Sequence, residues 1–404
     1  MTETKAGPPP ASQASATGVE SLSPTPSGEI CVKLFGRTDV GQIREHNEDN
    51  FLIADVTGGV RTAEPRAPFT FKLGEKGAAL LVCDGMGGAA AGEVASQMAV
   101  DSIFDAMASS EPQDRDGFAR LLRRSVQHAN ERIFIQSRDN QSERGMGTTC
   151  TVASLVDETL VVAQIGDSRC YILRDGKLAQ VTKDQSLAWQ LIEAGAMTAD
   201  EAKAFEHANI ILQALGVQER VEVVLSQVTL RKGDVALLCS DGLHGPVADE
   251  ELLAILIAEQ NLQKAGEALI QKALDRDGPD NITVVLTRFD GEGLQAPSPD
   301  EVVGFVGYDP GGDPIPEGMS AVDSASLARE TVEERLPRDM LTADDIPTKA
   351  EPDDPEPTAG NRKSKARSGR SLLALFLLAV VAAATGGIFV MKCEHDPSSK
   401  VTLP

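Results

Sequence analysis

The period of apolar and polar positions changes several times along this chain, and the changes mark out its elements. Ala79-Leu80-Leu81-Val82-Cys83 is a continuous apolar run that stops at Asp84-Gly85-Met86-Gly87-Gly88. So short a run, bounded by glycines, predicts a strand buried on both faces with a carboxylate at its end. From Ala89 to about Met107, Val94, Met98, Ile103 and Met107 recur at helical spacing, so strand, acidic turn and helix follow in order. The device recurs. Val235–Ser240 is another strand-like run ended by Asp241-Gly242, and Asp280-Asn281 precedes a third, Ile282–Leu286. Three carboxylates at the ends of core strands can meet at one place. Asp-Gly is also ordinary turn chemistry, and Arg174-Asp175-Gly176-Lys177 between two strand-like runs reads as a hairpin turn.

The remaining pattern fills in a domain. Val32, Leu34 and Phe35 open it with strand-like alternation, and a polar stretch from Thr38 to Asn50 precedes a second strand at Phe51-Leu52-Ile53. Leu121, Leu122, Val126, Ala129 and Ile133 predict a helix over about Phe118–Gln136, packed with the preceding helix on one sheet. Thr148–Val156, Leu160–Ile165 and Arg169–Leu173 read as a β-meander. Leu187–Ala194 and Thr198–Phe205 are short helical patterns in an insertion, the second opened by Thr198 with Glu201 three residues on, a capping-box arrangement. A strand at Val221–Leu230 and a helical pair, Ala248–Glu259 and Leu262–Leu274, precede the closing strand to about Phe289.

Composition divides the chain further. Residues 1–28 are rich in Pro, Ser, Thr, Ala and Gly without an apolar period or a targeting pattern, and read as a disordered leader. The globular domain is placed at 30–289. Residues 290–370 are dominated by Asp, Glu, Pro and Gly and end in a basic cluster, Arg362 to Arg370; they read as an acidic linker. Residues 371–391 contain an uncharged apolar run, Leu372–Met391, close to the roughly 20 residues a membrane-spanning helix needs. Residues 392–404 form a short tail. The basic cluster predicts a single-pass protein of the cell membrane with its main domain on the cytoplasmic side. The formal charge of −23 excludes nonspecific nucleic-acid binding, which needs basic surface. Six cysteines without a C-x-x-C pair predict a reducing compartment for the main domain.

Asp84, Asp241 and Asp280 within a few ångströms of one another would repel unless cations intervene. Oxygen ligands alone select hard ions, so Mg²⁺ or Mn²⁺ fits, with a carbonyl from the glycine turn completing the shell. Two such ions can activate a shared water for attack on phosphorus. Arg44 supplies a forked donor that matches phosphate oxygens.

At these residues the sequence resembles the metal-dependent serine/threonine phosphatases of the PP2C (PPM) family, in their bacterial form. Seven motifs occur in order between about Val32 and Phe289: Arg44-Glu45-His46-Asn47-Glu48-Asp49, Asp84-Gly85-Met86-Gly87-Gly88, Gly145-Met146-Gly147-Thr148-Thr149, Gly166-Asp167-Ser168-Arg169, Val181-Thr182-Lys183-Asp184, Ser240-Asp241-Gly242-Leu243 and Pro279-Asp280-Asn281. The resemblance implies an α+β fold, a four-layer α/β/β/α sandwich with two antiparallel sheets and the metals at one edge. It implies that Asp84 bridges two ions, the Gly85 carbonyl binds one, and Asp241 and Asp280 hold the other. Asp49, beside Glu48, would act largely through bound water, Asp167 with Asp241 would hold a third, weaker ion, and Arg44 would bind the substrate phosphate. The implied reaction is hydrolysis of phosphoserine and phosphothreonine in proteins by a water or hydroxide bridging the metals. Membrane-anchored Ser/Thr kinases are the partners a tethered form points to.

Several positions depart from the family pattern. Met86 stands where eukaryotic relatives often have a His proposed as general acid, and Ala89 replaces a His common in bacterial members. Gln185, Phe205 and Gln213 replace residues more usually His, His and Arg, which predicts altered substrate selection. His46 and His244 flank the predicted site; either could donate a proton, although histidines so placed more often only complete local hydrogen bonding. Two competing readings remain. Cys31-x5-Arg37 has the spacing of cysteine-dependent phosphatases, although Val32-Lys33-Leu34-Phe35 alternates like a strand. A catalytically silent scaffold that binds phosphoproteins is the non-enzyme alternative.

Overall fold

The computed structural model describes residues 28–311 apart from 64, 66, 88–90, 112–113, 199–200, 203–204, 206, 208–209 and 300. Most of the strand-forming sequence goes into two six-stranded sheets whose neighbouring strands are all antiparallel. The first contains β1 (Ile30–Asp39), β4 (Phe69–Lys72), β10 (Arg169–Arg174), β11 (Lys177–Gln180), β13 (Val235–Cys239) and β14 (Ile282–Gly291), in the order β11-β10-β13-β14-β1-β4. The second contains β2 (Asn50–Asp55), β3 (Val60–Thr62), β5 (Ala78–Cys83), β8 (Cys150–Val156), β9 (Thr159–Ile165) and β12 (Val224–Thr229), in the order β12-β9-β8-β5-β2-β3. Asp175 and Gly176, both at positive φ, make the two-residue turn between β10 and β11, as their sequence predicts.

The side-chain alternation of a strand explains the layers. In β5, Leu80 and Val82 join Val32, Leu34, Phe51, Leu238 and Val285 in the core between the sheets. Ala79, Leu81 and Cys83 face the other way, against α1 (Ala91–Ala108) and α2 (Arg115–Asp139). On the far side, Leu237, Cys239, Val284 and Leu286 pack against α4 (Asp249–Ala258) and α5 (Leu262–Leu274). The order is therefore helices, sheet, sheet, helices. Both faces of the central strands are covered, so an apolar run without alternation is what this position requires. Register is tightly specified as well, because a one-residue slip would exchange the two faces of a strand.

Residues 185–212 form a separate unit from this sandwich among the described residues. It carries α3 (Leu187–Glu193), whose first turn is capped by the Ser186 hydroxyl accepting from the Trp189 amide. Leu187 N donates to Ile210 O and Leu212 N to Gln185 O, closing the base of the segment. The Thr198–Glu201 capping contacts are present: Thr198 N and Oγ1 donate to Glu201 Oε2, and Glu201 N donates to Thr198 Oγ1. Part of the predicted Thr198–Phe205 helix lies outside the described residues.

One boundary differs from the sequence reading. The packed chain does not end at Phe289. Leu294 is buried in the core between the sheets, Gln227 N donates to Val306 O and Tyr308 N to Leu225 O at the open edge of β12, and Glu301 pairs with Arg174 and Arg231. The apolar residues of 290–311 are Leu294 and a short cluster at Val302–Tyr308, too few to set up a period. Leu294, Val303 and Tyr308 pack on surfaces that the sandwich already presents, while Val302 and Val306 stay exposed. The leader (residues 1–27), the rest of the linker and the apolar run at 371–391 lie outside the described residues, among which no helix is long and apolar enough to cross a membrane.

Candidate active site

The ladder registers bring the acidic residues to one end of the sandwich. Cys83, at the end of β5, pairs with Asn50, at the start of β2, which sets Asp84 near Asp49. Ile165, at the end of β9, pairs with Cys150, so the turn that carries Asp167 opens at the same end. In the facing sheet, Cys239 pairs with Val284 and Asp39 with Ile282. Asp241, Asp280 and the loop bearing Arg44 therefore emerge side by side.

Asp49 is buried, and its Oδ2 accepts from Ser240 Oγ at 2.7 Å and Thr283 Oγ1 at 2.6 Å. Burial pushes its carboxyl up to about 7 despite those two donors, helped by the charges of Asp241 and Asp280. Burial likewise raises Asp84 well above the carboxylate range, with Asp49, Asp241, Asp167 and Asp280 adding repulsion. Asp167 is pushed up to about 8 by burial and then by Asp241 and Asp184. Asp241 is raised by burial and by Asp280, an effect that the neighbouring Asp84 side chain partly offsets. Arg44 Nη2 donates to Asp280 Oδ2 at 2.8 Å, with half of the arginine side chain exposed.

Backbone contacts hold these groups in place. Asp84 N donates to Thr149 Oγ1, while Asp84 O accepts from Thr149 N and Thr148 Oγ1. Gly85 is obligatory for lack of space: a Cβ there would stand 2.3 Å from Gly92 O and 2.4 Å from Glu48 O. Gly41, at φ 78°, brings the Arg44 loop so close that a Cβ would lie 2.2 Å from Asp280 O. Asn281 fastens that loop. Its Nδ2 donates to Val40 O and His46 O, and its Oδ1 accepts from Glu48 N.

Ser240, Thr283, Thr149 and Asn281 are supporting residues to which the sequence reading gave no role, although all but Thr283 lie within its motifs. Each touches the site through a hydroxyl or amide beside a flagged acidic residue, a signal the sequence holds only once partners are known.

The donor set suits a hard divalent ion. It consists of carboxylates, and the Oδ1 atoms of Asp49 and Asp241 are buried without a hydrogen-bond partner among the described residues. No three His, Cys, Asp or Glu side chains among the described residues already stand in closed ligand geometry.

A family model for Protein phosphatase 2C matches residues 68–276. The chain belongs to the protein phosphatase 2C family. A serine/threonine phosphatase, stp of Listeria monocytogenes, is 37% identical over 255 residues, covering 63% of this chain and 94% of the relative. The serine/threonine protein phosphatase PstP of Mycobacterium tuberculosis is 36% identical over 258 residues, 64% of this chain and 45% of PstP. A crystal structure of the PstP catalytic domain in complex with two manganese ions superposes with a TM-score of 0.54 at 33% identity, covering 65% of this chain and 99% of that one.

Within this family member, the histidines and cysteines are placed as follows. His244 Nε2 lies 3.1 Å from Asp167 O, and burial lowers its pKa well below the usual value. His46 is exposed, with its carbonyl held by Asn281. Met86 is exposed beside Gly85, whereas Ala89 is outside the described residues. Gln213 Oε1 accepts from Glu222 N, and Phe205 meets His207 edge-on. Cys31 and Arg37 are both in β1, with Arg37 beside Glu267, so no phosphate-cradling loop joins them. The described cysteines are free thiols.

Proposed function

We propose that this protein is a metal-dependent phosphatase of phosphoserine and phosphothreonine in proteins, working in one step without a covalent enzyme intermediate. The observation that carries the reading is the set of buried acidic groups with unpartnered oxygens beside an exposed arginine fork. Asp84 and the Gly85 carbonyl would hold one divalent ion, Asp84, Asp241 and Asp280 a second, and Asp167 with Asp241 a third and weaker one. Asp49 supports the cluster through hydrogen bonds. Mn²⁺ or Mg²⁺ bound there supplies an acidified water and positive charge against the phosphate oxygens. Arg44 binds the phosphate in bidentate fashion while Asp280 orients its guanidinium. Asn281 keeps the Arg44 loop from drifting, which is what positioning for an in-line attack demands.

The apolar run at 371–391, preceded by the basic cluster, supports a single membrane span with the phosphatase domain cytoplasmic. Tethering concentrates the domain near membrane-bound phosphoproteins, Ser/Thr kinases among them. Turnover of phosphoserine and phosphothreonine peptides by the full chain, with Mn²⁺ and with EDTA, tests the activity. Activity only with the metal supports it; a metal-loaded protein that binds phosphopeptides without turnover establishes the scaffold instead. Partition of the full chain into membranes, lost on truncation before Arg362, tests the anchor.

A further inference from the structure

Beside the acidic centre lies a small apolar ledge that the reaction does not use. Gly85–Met86 pairs as a two-stranded ribbon with Gly147–Thr148, and Thr148 pairs in turn with Leu215. The ribbon is anchored directly to the site, because Thr148 Oγ1 donates to Asp84 O. Two large apolar side chains stand exposed along it, Met86 (38% exposed) and Val217 (49%). They flank the Gly147 Cα: a Cβ built there would be 2.8 Å from Val217 Cγ2 and 3.4 Å from Met86 Cγ. The missing side chain at Gly147 leaves a shallow floor between them.

The ledge is rigidly supported. Asn130, buried on α2, accepts from Gly216 N through Oδ1 and donates through Nδ2 to Gln218 O and Glu219 O, so the Val217 loop is tied on both sides. In a chain of net charge −23, Arg144 and Arg220 lie three residues along the chain from Gly147 and Val217, each next to a glutamate, Glu143 and Glu219. Arg144 and Arg220 are exposed and make no ion pair or hydrogen bond among the described residues. Gly145 N donates to Ser137 Oγ, which fixes the Arg144 turn against the end of α2.

We propose that this ledge reads the residues flanking the phosphorylated one in the substrate, taking an apolar side chain between Met86 and Val217 and an acidic one against Arg144. The proposal rests on the phosphatase reading and adds a substrate preference to it. The occupant follows from continuity with the site: a chain whose phosphate reaches Arg44 and the carboxylates must lay its neighbouring residues over the adjoining surface. An apolar floor rejects a hydrated polar side chain by loss of hydration without a replacement partner. An unpaired exposed arginine favours carboxylate over ammonium.

The experiment compares kcat/KM of the full chain for phosphothreonine peptides that carry Leu or Ser beside the phosphothreonine, and Glu or Lys one residue farther out. p-Nitrophenyl phosphate, which has no flanking residues, serves as the reference substrate. The expected result is an about fivefold preference for Leu over Ser in the wild type, reduced to less than about twofold in Val217→Ser and kept in Val217→Ile. Arg144→Glu should reverse the Glu-over-Lys preference, and the wild-type preference should shrink in high salt. All three variants should keep wild-type turnover of p-nitrophenyl phosphate. Equal rates on all peptides in the wild type, or a Leu preference untouched by Val217→Ser, would overturn the ledge while leaving the phosphatase intact. Absence of p-nitrophenyl phosphate turnover in the metal-loaded wild type would sink both readings together.

Discussion

Two clusters of buried charge in the same sandwich are built on opposite terms. Around Arg174 every charge is answered. The guanidinium is 4% exposed and Asp234 1%; Arg174 Nε and Nη2 donate to the two Asp234 oxygens at 2.9 and 2.6 Å, and Glu301 pairs with both Arg174 and Arg231. Around Asp84 the charges are of one sign. Asp49, Asp84 and Asp167 are raised by burial and by neighbouring carboxylates, Asp241 by burial and by Asp280, and two of their oxygens have no partner among the described residues. A satisfied buried network holds chain segments together, here Glu301 of the tail against two arginines of the sandwich. An unsatisfied one of a single sign is stable only with something added, so it marks a place for a cation.

The same substitution in the two clusters should separate these roles. Asp84→Asn is expected to lower Mn²⁺-dependent kcat by on the order of 10³-fold, while the melting temperature in EDTA stays level or rises because repulsion is relieved. Stopped activity together with a lower melting temperature in EDTA would put Asp84 in the structural class instead. Asp234→Asn should do the converse. It leaves Arg174 short of a charge partner and costs about 3 kcal/mol, the low end for breaking a buried pair because Glu301 remains, with kcat of the surviving folded protein unchanged. Denaturant titration at fixed pH measures it.

The acidic cluster should also make stability depend on pH. Asp49 and Asp167 are held at about 7 and about 8 in the folded protein, above their ordinary value of 3.8. Between about pH 4 and 8 the folded state therefore binds more protons than the unfolded chain, so stability without metal falls as pH rises through that window. Divalent ion displaces those protons, and its stabilising effect should grow from pH 5 to pH 8. A melting temperature in EDTA that is flat over this range would show that the carboxylates are not mutually strained as the structure indicates.

Much of this organisation was legible before any coordinates. Apolar runs such as Ala79–Cys83 and Val235–Ser240 declare central strands because both faces are covered, and their acidic stops mark the ends of those strands. The seven ordered motifs carried the fold family, and Asp49, Asp84, Asp167, Asp241, Asp280 and Arg44 do emerge at one end of the sandwich. Less legible was the tail. Leu294 stands alone in an acidic, Pro-rich stretch, and the cluster Val302–Tyr308 is too short for a period, so neither reveals the surface it meets. The residues that brace the acids escaped for a related reason, since Ser240, Thr283 and Asn281 look like ordinary strand-end polar residues until their partners, up to 241 positions away, are known.

Local pattern thus decided which segments become strands and helices and where their charged ends fall, because hydrophobic period and turn chemistry act over a few neighbouring residues. Which carboxylate sits beside which, which hydroxyl reaches Asp49, and which face of the ribbon stays open between Met86 and Val217 were settled only by strand pairing across the whole chain. Those contacts join residues distant in sequence, and their energies exist only once the sheets have closed on each other.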